Sequence, residues 1–388
     1  MQRIYLDHAA TTPVDARVLQ KMLPCFTDHF GNAHSLHAFG RRAVAAVDAA
    51  RDAVASLLGA KPQEIYFTSG GTEADNWALR GAVHANAGRG RHVIISAVEH
   101  PAVRAAARLL AQEGFAVSAA PVGADGVLDL AAFAGLLRGD TVLAAVMAVN
   151  NETGAVQPLA EISRLCRERG VLLFCDAVQA AGAYVLDVNA PPVDLLSISS
   201  HKFYGPKGVG ALYVREGVRI APLVAGGEQE RGLRGGTVNV PGIVGMAEAL
   251  TIARAQLPEA QARMAALCEN FVRRALHEIE GAQLNGPRTP CSSLAAGGRL
   301  YSLANFTFAG ADGPALLALL DRLGVAASGG SACSSGSPEP SPVLRAMGRP
   351  DTLARSGVRF SFGRENTEEE AEEVLSRLKR ALARLRAK

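Results

Sequence analysis

The sequence predicts an α/β fold, with a large domain built on a mainly parallel mixed sheet flanked by helices and a smaller α+β domain beside it. Helical and extended patterns alternate from about residue 41 to 235. Polar residues recur directly after the extended runs, where ligands bind in open α/β sheets. Beyond about residue 238 the alternation gives way to one long helical stretch followed by mixed strands and helices. With 388 residues, 48% of them hydrophobic, the chain can bury one large core or two medium ones.

The first dozen residues hold an extended run, Ile4-Tyr5-Leu6, too short to stand alone and expected to pack against one of the two domains. Residues 41–58 place Val44, Val47, Val54, Leu57 and Leu58 on one helical stripe, and Gly59 is a C-terminal stop. Ile65-Tyr66-Phe67-Thr68 is extended and enters Ser69-Gly70-Gly71-Thr72-Glu73 and another helix. Runs of strand length rich in β-branched residues or leucine follow at 92–96, 142–149, 171–175, 195–199 and 209–214, separated by helices such as 101–113 and 158–169. The second part reads as a helix to about 280, a strand at 303–308, a helix at 314–323, a short strand, a loop, a strand at 357–362 and a charged final helix. Residues 287–298 are rich in Pro, Gly and Ser and read as surface. The expected division is a large domain over 13–260 and a small one over 1–12 with 261–388.

Forty basic against 37 acidic side chains leave a net charge of +3, which excludes an intrinsically disordered polyelectrolyte and gives no electrostatic footprint for nucleic acid. The longest strongly apolar run, Thr141 to Val149, is about half what a bilayer crossing needs, and Asp7 interrupts the N-terminus before a signal-peptide apolar region could form. A soluble, cytoplasmic protein without membrane or nucleic-acid partners is expected. The six cysteines, at 25, 166, 175, 268, 291 and 333, include no Cys-x-x-Cys pair, so neither a metal site nor a disulfide framework is expected. Cys166 and Cys175 lie in apolar stretches and read as small buried hydrophobes.

The residues after the strand runs form a consistent set: Ser69-Gly70-Gly71-Thr72, Glu99-His100, Asn150-Asn151-Glu152, Asp176 with Gln179, and Ser199-Ser200-His201-Lys202. Glycines at a helix start let the backbone approach a phosphate, and the free N–H groups and positive dipole end favour the anion. An ordinary strand-to-helix turn capped by Thr72 is the plainer alternative. Neither a Walker A loop nor Gly-x-Gly-x-x-Gly is present, which removes the main support for a nucleotide. Asp176 ends an apolar strand and needs a cationic partner, for which a protonated ring nitrogen would serve. Lys202 ends another and is a candidate for a depressed pKa and Schiff-base chemistry, with a structural salt bridge to Asp176 as the alternative. An acid for a pyridinium nitrogen, a lysine for an aldehyde and a helix start for a phosphate are what pyridoxal 5′-phosphate (PLP) requires of a protein.

A second candidate site is Ser328-Gly329-Gly330-Ser331-Ala332-Cys333-Ser334-Ser335-Gly336-Ser337, whose small residues predict a mobile loop exposing Cys333 as a nucleophilic thiol; an incidental surface cysteine is the alternative. Arg359 interrupts the apolar strand Val358-Arg359-Phe360-Ser361, and a substrate carboxylate would satisfy its fork of donors.

Taken in order, Tyr5-Leu6-Asp7-His8-Ala9-Ala10-Thr11-Thr12-Pro13, Phe67-Thr68-Ser69-Gly70-Gly71-Thr72-Glu73, Glu99-His100, Asn150-Asn151-Glu152-Thr153-Gly154, Asp176-Ala177-Val178-Gln179, Ser200-His201-Lys202-Phe203-Tyr204-Gly205-Pro206-Lys207-Gly208, Arg231-Gly232-Leu233-Arg234-Gly235-Gly236-Thr237, Gly330-Ser331-Ala332-Cys333 and Val358-Arg359-Phe360-Ser361 span nearly the whole chain. In these motifs the sequence resembles the cysteine desulfurases (NifS/IscS-like) of the class V aminotransferase group, PLP-dependent enzymes of fold type I. The resemblance implies that Lys202 holds PLP covalently, that Asp176 pairs with the ring nitrogen, that His100 stacks on the ring and helps move a proton, and that Gln179 contacts the ring hydroxyl. It implies a phosphate site made by Gly71, Thr72, Ser199 and His201, joined by Thr237 from the other subunit of a homodimer, and a substrate carboxylate held by Asn151 and Arg359. The implied reaction takes sulfur from L-cysteine as a persulfide on Cys333, gives L-alanine, and passes the sulfur to an acceptor protein or thiol, as in the supply of iron–sulfur clusters, thio-cofactors or thiolated transfer RNA. A selenocysteine lyase, a class V aminotransferase and a non-catalytic assembly protein that kept the fold are the alternatives.

Overall fold

A computed structural model describes residues 3–330 and 339–387. Its large sheet has seven strands: β1 (Ile65–Thr68), β2 (His92–Ser96), β3 (Ala116–Ala120), β4 (Thr141–Ala145), β5 (Leu172–Asp176), β6 (Leu195–Ser199) and β7 (Gly210–Val214). Their order across the sheet is β1-β7-β6-β5-β4-β2-β3, and only β7 runs antiparallel to its neighbours. Both faces are covered, which is why the central strands read as continuous apolar runs. Successive residues alternate between the two faces: Ile94, Leu196 and Ile198 pack with helices Ala38–Leu58, Leu159–Glu168 and the first half of Val240–Glu278, whereas Val93, Ile95 and Leu195 pack with Gly71–Asn76 and Pro101–Gln112. The α/β expectation with a mainly parallel sheet is met.

A second core gathers Phe271, Phe306, Phe360 and Leu375 around an antiparallel sheet of β8 (Ala282–Asn285), β9 (Leu303–Phe308) and β10 (Val358–Ser361). Ile4 and Leu6 belong to this core, where Ile4–Tyr5 pairs in parallel with Val325–Ala326. The 39-residue helix Val240–Glu278 serves both cores, placing Val240 through Ala253 in the first and Leu267 through Ala275 in the second.

Three elements differ from the sequence reading. Strand β3 was not expected, because Ala116-Val117-Ser118-Ala119-Ala120 carries one β-branched residue and lies at the sheet edge, half exposed. The run 142–149 ends as a strand at Ala145, yet the chain continues beside β5, with Val146 N–H donating to Phe174 O and Ala148 N–H to Asp176 O, so the whole run stays buried. The segment 287–298 carries the short strand Pro290–Cys291, which pairs with Gly298–Leu300 and buries Cys291. Among the described residues no helix is long and apolar enough to cross a membrane, and no three side chains cluster as metal ligands.

Candidate active site

Strands β2, β5 and β6, the chain beyond β4 and the helix following β1 all deliver polar side chains to one edge of the large sheet. There they line a cavity of about 160 Å³ together with Arg359 from β10 and the backbone of Ala9 and Ala10. Ten sequence-predicted residues meet in it: Gly71, Thr72, His100, Asn151, Asp176, Gln179, Ser199, His201, Lys202 and Arg359. Thr237 is exposed and does not line the cavity of its own chain. Cys333 lies outside the described residues.

The helix start is built for close approach. Thr68 Oγ1 donates to Gly70 O at 3.0 Å, and Ser69 N–H donates to Glu73, which Arg234 grips through two nitrogens at 2.8 and 3.0 Å. Gly70 has φ +148°, a conformation that side chains disfavour. A Cβ on Gly71 would stand 2.9 Å from Val178 Cγ2 and 3.4 Å from Ser199 Cβ, so only glycine leaves this cradle open.

Asp176 is 4% exposed, and its carboxylate accepts the Val178 N–H at 2.9 Å, the only hydrogen-bond donor it meets among the described residues. Burial raises its pKa, opposed by His100, by that N–H and by Lys202. Lys202 Nζ donates to Ala9 O at 2.6 Å and Ala10 O at 2.9 Å. Gln179 Nε2 donates to the same Ala9 carbonyl at 2.9 Å. His100 caps helix Pro101–Gln112 by accepting Ala102 N–H on Nδ1, and its pKa is lowered by burial, with Lys202 adding and Asp176 opposing. Burial first, then Lys202 and Lys207, push His201 down to about 4, so it is neutral at physiological pH.

Arg359 is 1% exposed, and the anion it meets among the described residues is Asp7: Nη2 donates to Asp7 Oδ1 at 2.8 Å while Nη1 donates to Asn151 O at 2.7 Å. Its Nε is buried without a partner. Asn151 also borders a neighbouring cavity of about 360 Å³, as do Gly330 and Glu339, the residues flanking the undescribed segment.

Sequence reasoning missed Asp7 and Asp75. Asp75 lies one helical turn after Thr72, a spacing that puts it on the same helix face and could have revealed it. Glu99 was seen as a strand-end residue without a role; it is 1% exposed and accepts Ser96 Oγ at 2.6 Å and Met147 N–H at 2.8 Å.

The aminotransferase class-V family model matches residues 4–374. The chain belongs to the class-V aminotransferase family. Within that family it is 49% identical over 372 residues to a cysteine desulfurase IscS of Anaeromyxobacter dehalogenans, covering 95% of this chain and 90% of the relative. It is 42% identical over 385 residues to the cysteine desulfurase IscS of Clostridium botulinum, covering 99% and 96%. A solved structure of a NifS-like protein superposes with a TM-score of 0.91 at 37% identity, covering 98% of this chain and all of the other. The class-V frame is thus the fold type I architecture expected from the sequence.

Proposed function

We propose that the chain is a PLP-dependent cysteine desulfurase that takes sulfur from L-cysteine, releases L-alanine and carries the sulfur as a persulfide on Cys333 to an acceptor protein or thiol. The observation that carries this reading is the single cavity in which Lys202, Asp176, His100, Gln179 and Arg359 converge. Cysteine desulfurases IscS match nearly the whole chain.

The residues present fit PLP. A buried carboxylate with one backbone donor and no salt-bridge partner among the described residues suits a protonated ring nitrogen, and the open Gly71 cradle at a helix start suits a phosphate. Lys202 would hold the aldehyde carbon, Asp176 the ring-nitrogen proton, Gln179 the ring hydroxyl, and Gly71, Thr72, Ser199 and His201 the phosphate, with Thr237 contributed by a second copy of the chain. When bound, PLP supplies an electron sink for the bond-breaking at the substrate Cα.

The protein's own groups do the rest. Arg359 and Asn151 orient the substrate carboxylate, and Arg359 Nε is a donor still unused. Lys202 would take the proton from the substrate Cα, and His100, its pKa lowered by burial, would contact the ring and help move a proton. The Cys333 thiolate attacks the substrate sulfur: an S–S bond forms, the Cβ–S bond breaks, the carbon skeleton keeps the electron pair, and protonation yields alanine. The oxidation of the sulfurs to a persulfide balances the reduction of Cβ. Gly330 and Glu339, on either side of the segment bearing Cys333, border the cavity that shares Asn151 with the site.

A homodimer is part of this reading, supported by the exposed apolar side chains Leu19, Leu23, Phe26, Phe30, Leu36 and Phe39, as is a cytoplasmic location in sulfur supply, iron–sulfur cluster assembly included. The chain is also read as two domains, 13–260 with the cofactor site and 1–12 with 261–388, which is supported by the placement of Ile4 and Leu6 in the second core. The test is incubation with L-cysteine, measurement of alanine and sulfide, and mass-spectrometric mapping of the modified thiol. Cys333→Ala is expected to keep the yellow colour of bound PLP and to lose persulfide formation; sulfur release by that variant at the unmodified rate would sink the assignment.

A further inference from the structure

The cofactor end of the cavity holds a second carboxyl group that the reaction above does not use. Asp75 is 1% exposed and lines the cavity with Asp176. Asp176 and Ser197 are register partners on the adjacent parallel strands β5 and β6, so their side chains stand side by side on one face of the sheet. Ser197 Oγ donates to Asp75 Oδ1 at 2.6 Å, which brings the helix-borne acid against the neighbour of Asp176. Two acids thus approach from different elements, one from helix Gly71–Asn76 and one from β5.

We propose that Asp75 and Asp176 form a buried carboxyl pair in which Asp75 carries the proton and Asp176 the negative charge, making Asp75 a positioning residue for the ring-nitrogen end of the cofactor site. The inference rests on the PLP reading above.

The partition of proton and charge follows from what faces each group. Lys202 acts on Asp176 and the Val178 N–H donates to it at 2.9 Å, both favouring its ionised form. Asp75 is faced instead by burial and by Asp176, joined by Glu99 only where that acid ionises above about pH 8, all of which favour its neutral form, opposed only by the Ser197 hydroxyl. Two carboxylates in one dry pocket cannot both ionise cheaply, and one proton shared between them resolves the conflict. The result matches the ligand: a ring nitrogen carrying one proton presents one positive charge, and a site with one net negative charge neutralises it. Were Asp75 also charged, the pair would draw a second proton or a cation into the site. A neutral Asp75 still accepts from Ser197 and keeps the pocket wall polar at the point where Asp176 must be held in register.

The test is infrared difference spectroscopy on protein labelled with ¹³C-aspartate, in the apo form and after addition of PLP. Wild type is expected to show a protonated-carboxyl stretch at neutral pH that is absent from Asp75→Asn and retained in Asp176→Asn. Removing the hydrogen bond with Ser197→Ala is expected to shift that stretch to higher frequency, which gives a second measurement should Asp75→Asn fail to fold. A wild-type spectrum without the band, a band that survives in Asp75→Asn, or an unshifted band in folded Ser197→Ala would each overturn the proposal. Failure of the cofactor reading is separately visible: wild type would develop no visible absorption on addition of PLP, while the apo spectrum would still decide where the proton lies.

Discussion

Replacing Glu99 with Gln tests whether the acid beside the site is folded in as a neutral group. Glu99 is buried, and of its two carboxyl oxygens Oε1 accepts from Ser96 and Met147 whereas Oε2 is enclosed without a partner. Burial, reinforced by Asp176 and opposed by the Ser96 hydroxyl and the Met147 N–H, pushes its pKa from 4.5 up to about 8. Between those two values the folded chain keeps a proton that the unfolded chain has released, so folding stability falls as pH rises. At about 1.4 kcal/mol per pH unit, the span from 4.5 to about 8 amounts to about 5 kcal/mol lost by wild type at alkaline pH. Gln is neutral at every pH and can still accept both hydrogen bonds, so the variant lacks this loss. The absolute stability of Glu99→Gln depends on its new amide donors, but the change with pH of its difference from wild type depends on the titration alone. Chemical denaturation of the apo protein, with refolding verified at each pH, is expected to show the variant gaining on wild type by about 1.4 kcal/mol per pH unit between about pH 5 and 8. Stability curves that run parallel over that interval would refute a neutral, buried Glu99.

Two further substitutions probe the cradle and the carboxylate fork. Gly71→Ala drives a methyl group to within 2.9 Å of Val178 Cγ2, an overpacking worth about 1–3 kcal/mol, and should weaken PLP uptake by about 10-fold or more in an absorbance titration; adding Val178→Ala should recover most of that loss. Arg359→Lys replaces a planar fork with a single ammonium, and losing about 1.5–3 kcal/mol of charge-assisted hydrogen bonding should raise the KM for L-cysteine about 10- to 100-fold in alanine-release assays, with kcat affected less.

What could be read from the sequence follows the physics of burial. Strands β2, β4, β5 and β6 are covered on both faces, so their residues form apolar runs that end abruptly in polar groups, and those ends converge on the cavity. Edge strand β3 bears no such signature, because its side chains are half exposed and its small residues suit many conformations. His100, Asp176 and Lys202 were legible because each lies at a strand end or within four residues after one. Arg359 was legible as a buried charge, but its partner was not: Asp7 lies 352 residues away, and only the packing of the N-terminal run against the second core brings the two together. The guanidinium expected to take a substrate anion is therefore already shared with an internal carboxylate.

That N-terminal run explains how a site divided between two cores is held to one geometry. Ile4 and Leu6 are fixed in the second core, and Leu6 O accepts the Ser361 N–H at the end of β10. Three residues on, Ala9 N–H donates to Ser361 Oγ, and the carbonyls of Ala9 and Ala10 hold the Lys202 amine. Thr12 then reaches the opposite wall, with its N–H and its hydroxyl both donating to His201 O at 2.9 Å. The run is thus tied at both ends, to Ser361 of β10 and to His201 after β6. Because Asp7 holds Arg359 and Ala9 holds Lys202, any shift of the second core relative to the large sheet moves the carboxylate fork and the amine through the same short stretch of backbone. The segment thus couples the placement of the guanidinium and the amine, which neither core could fix alone.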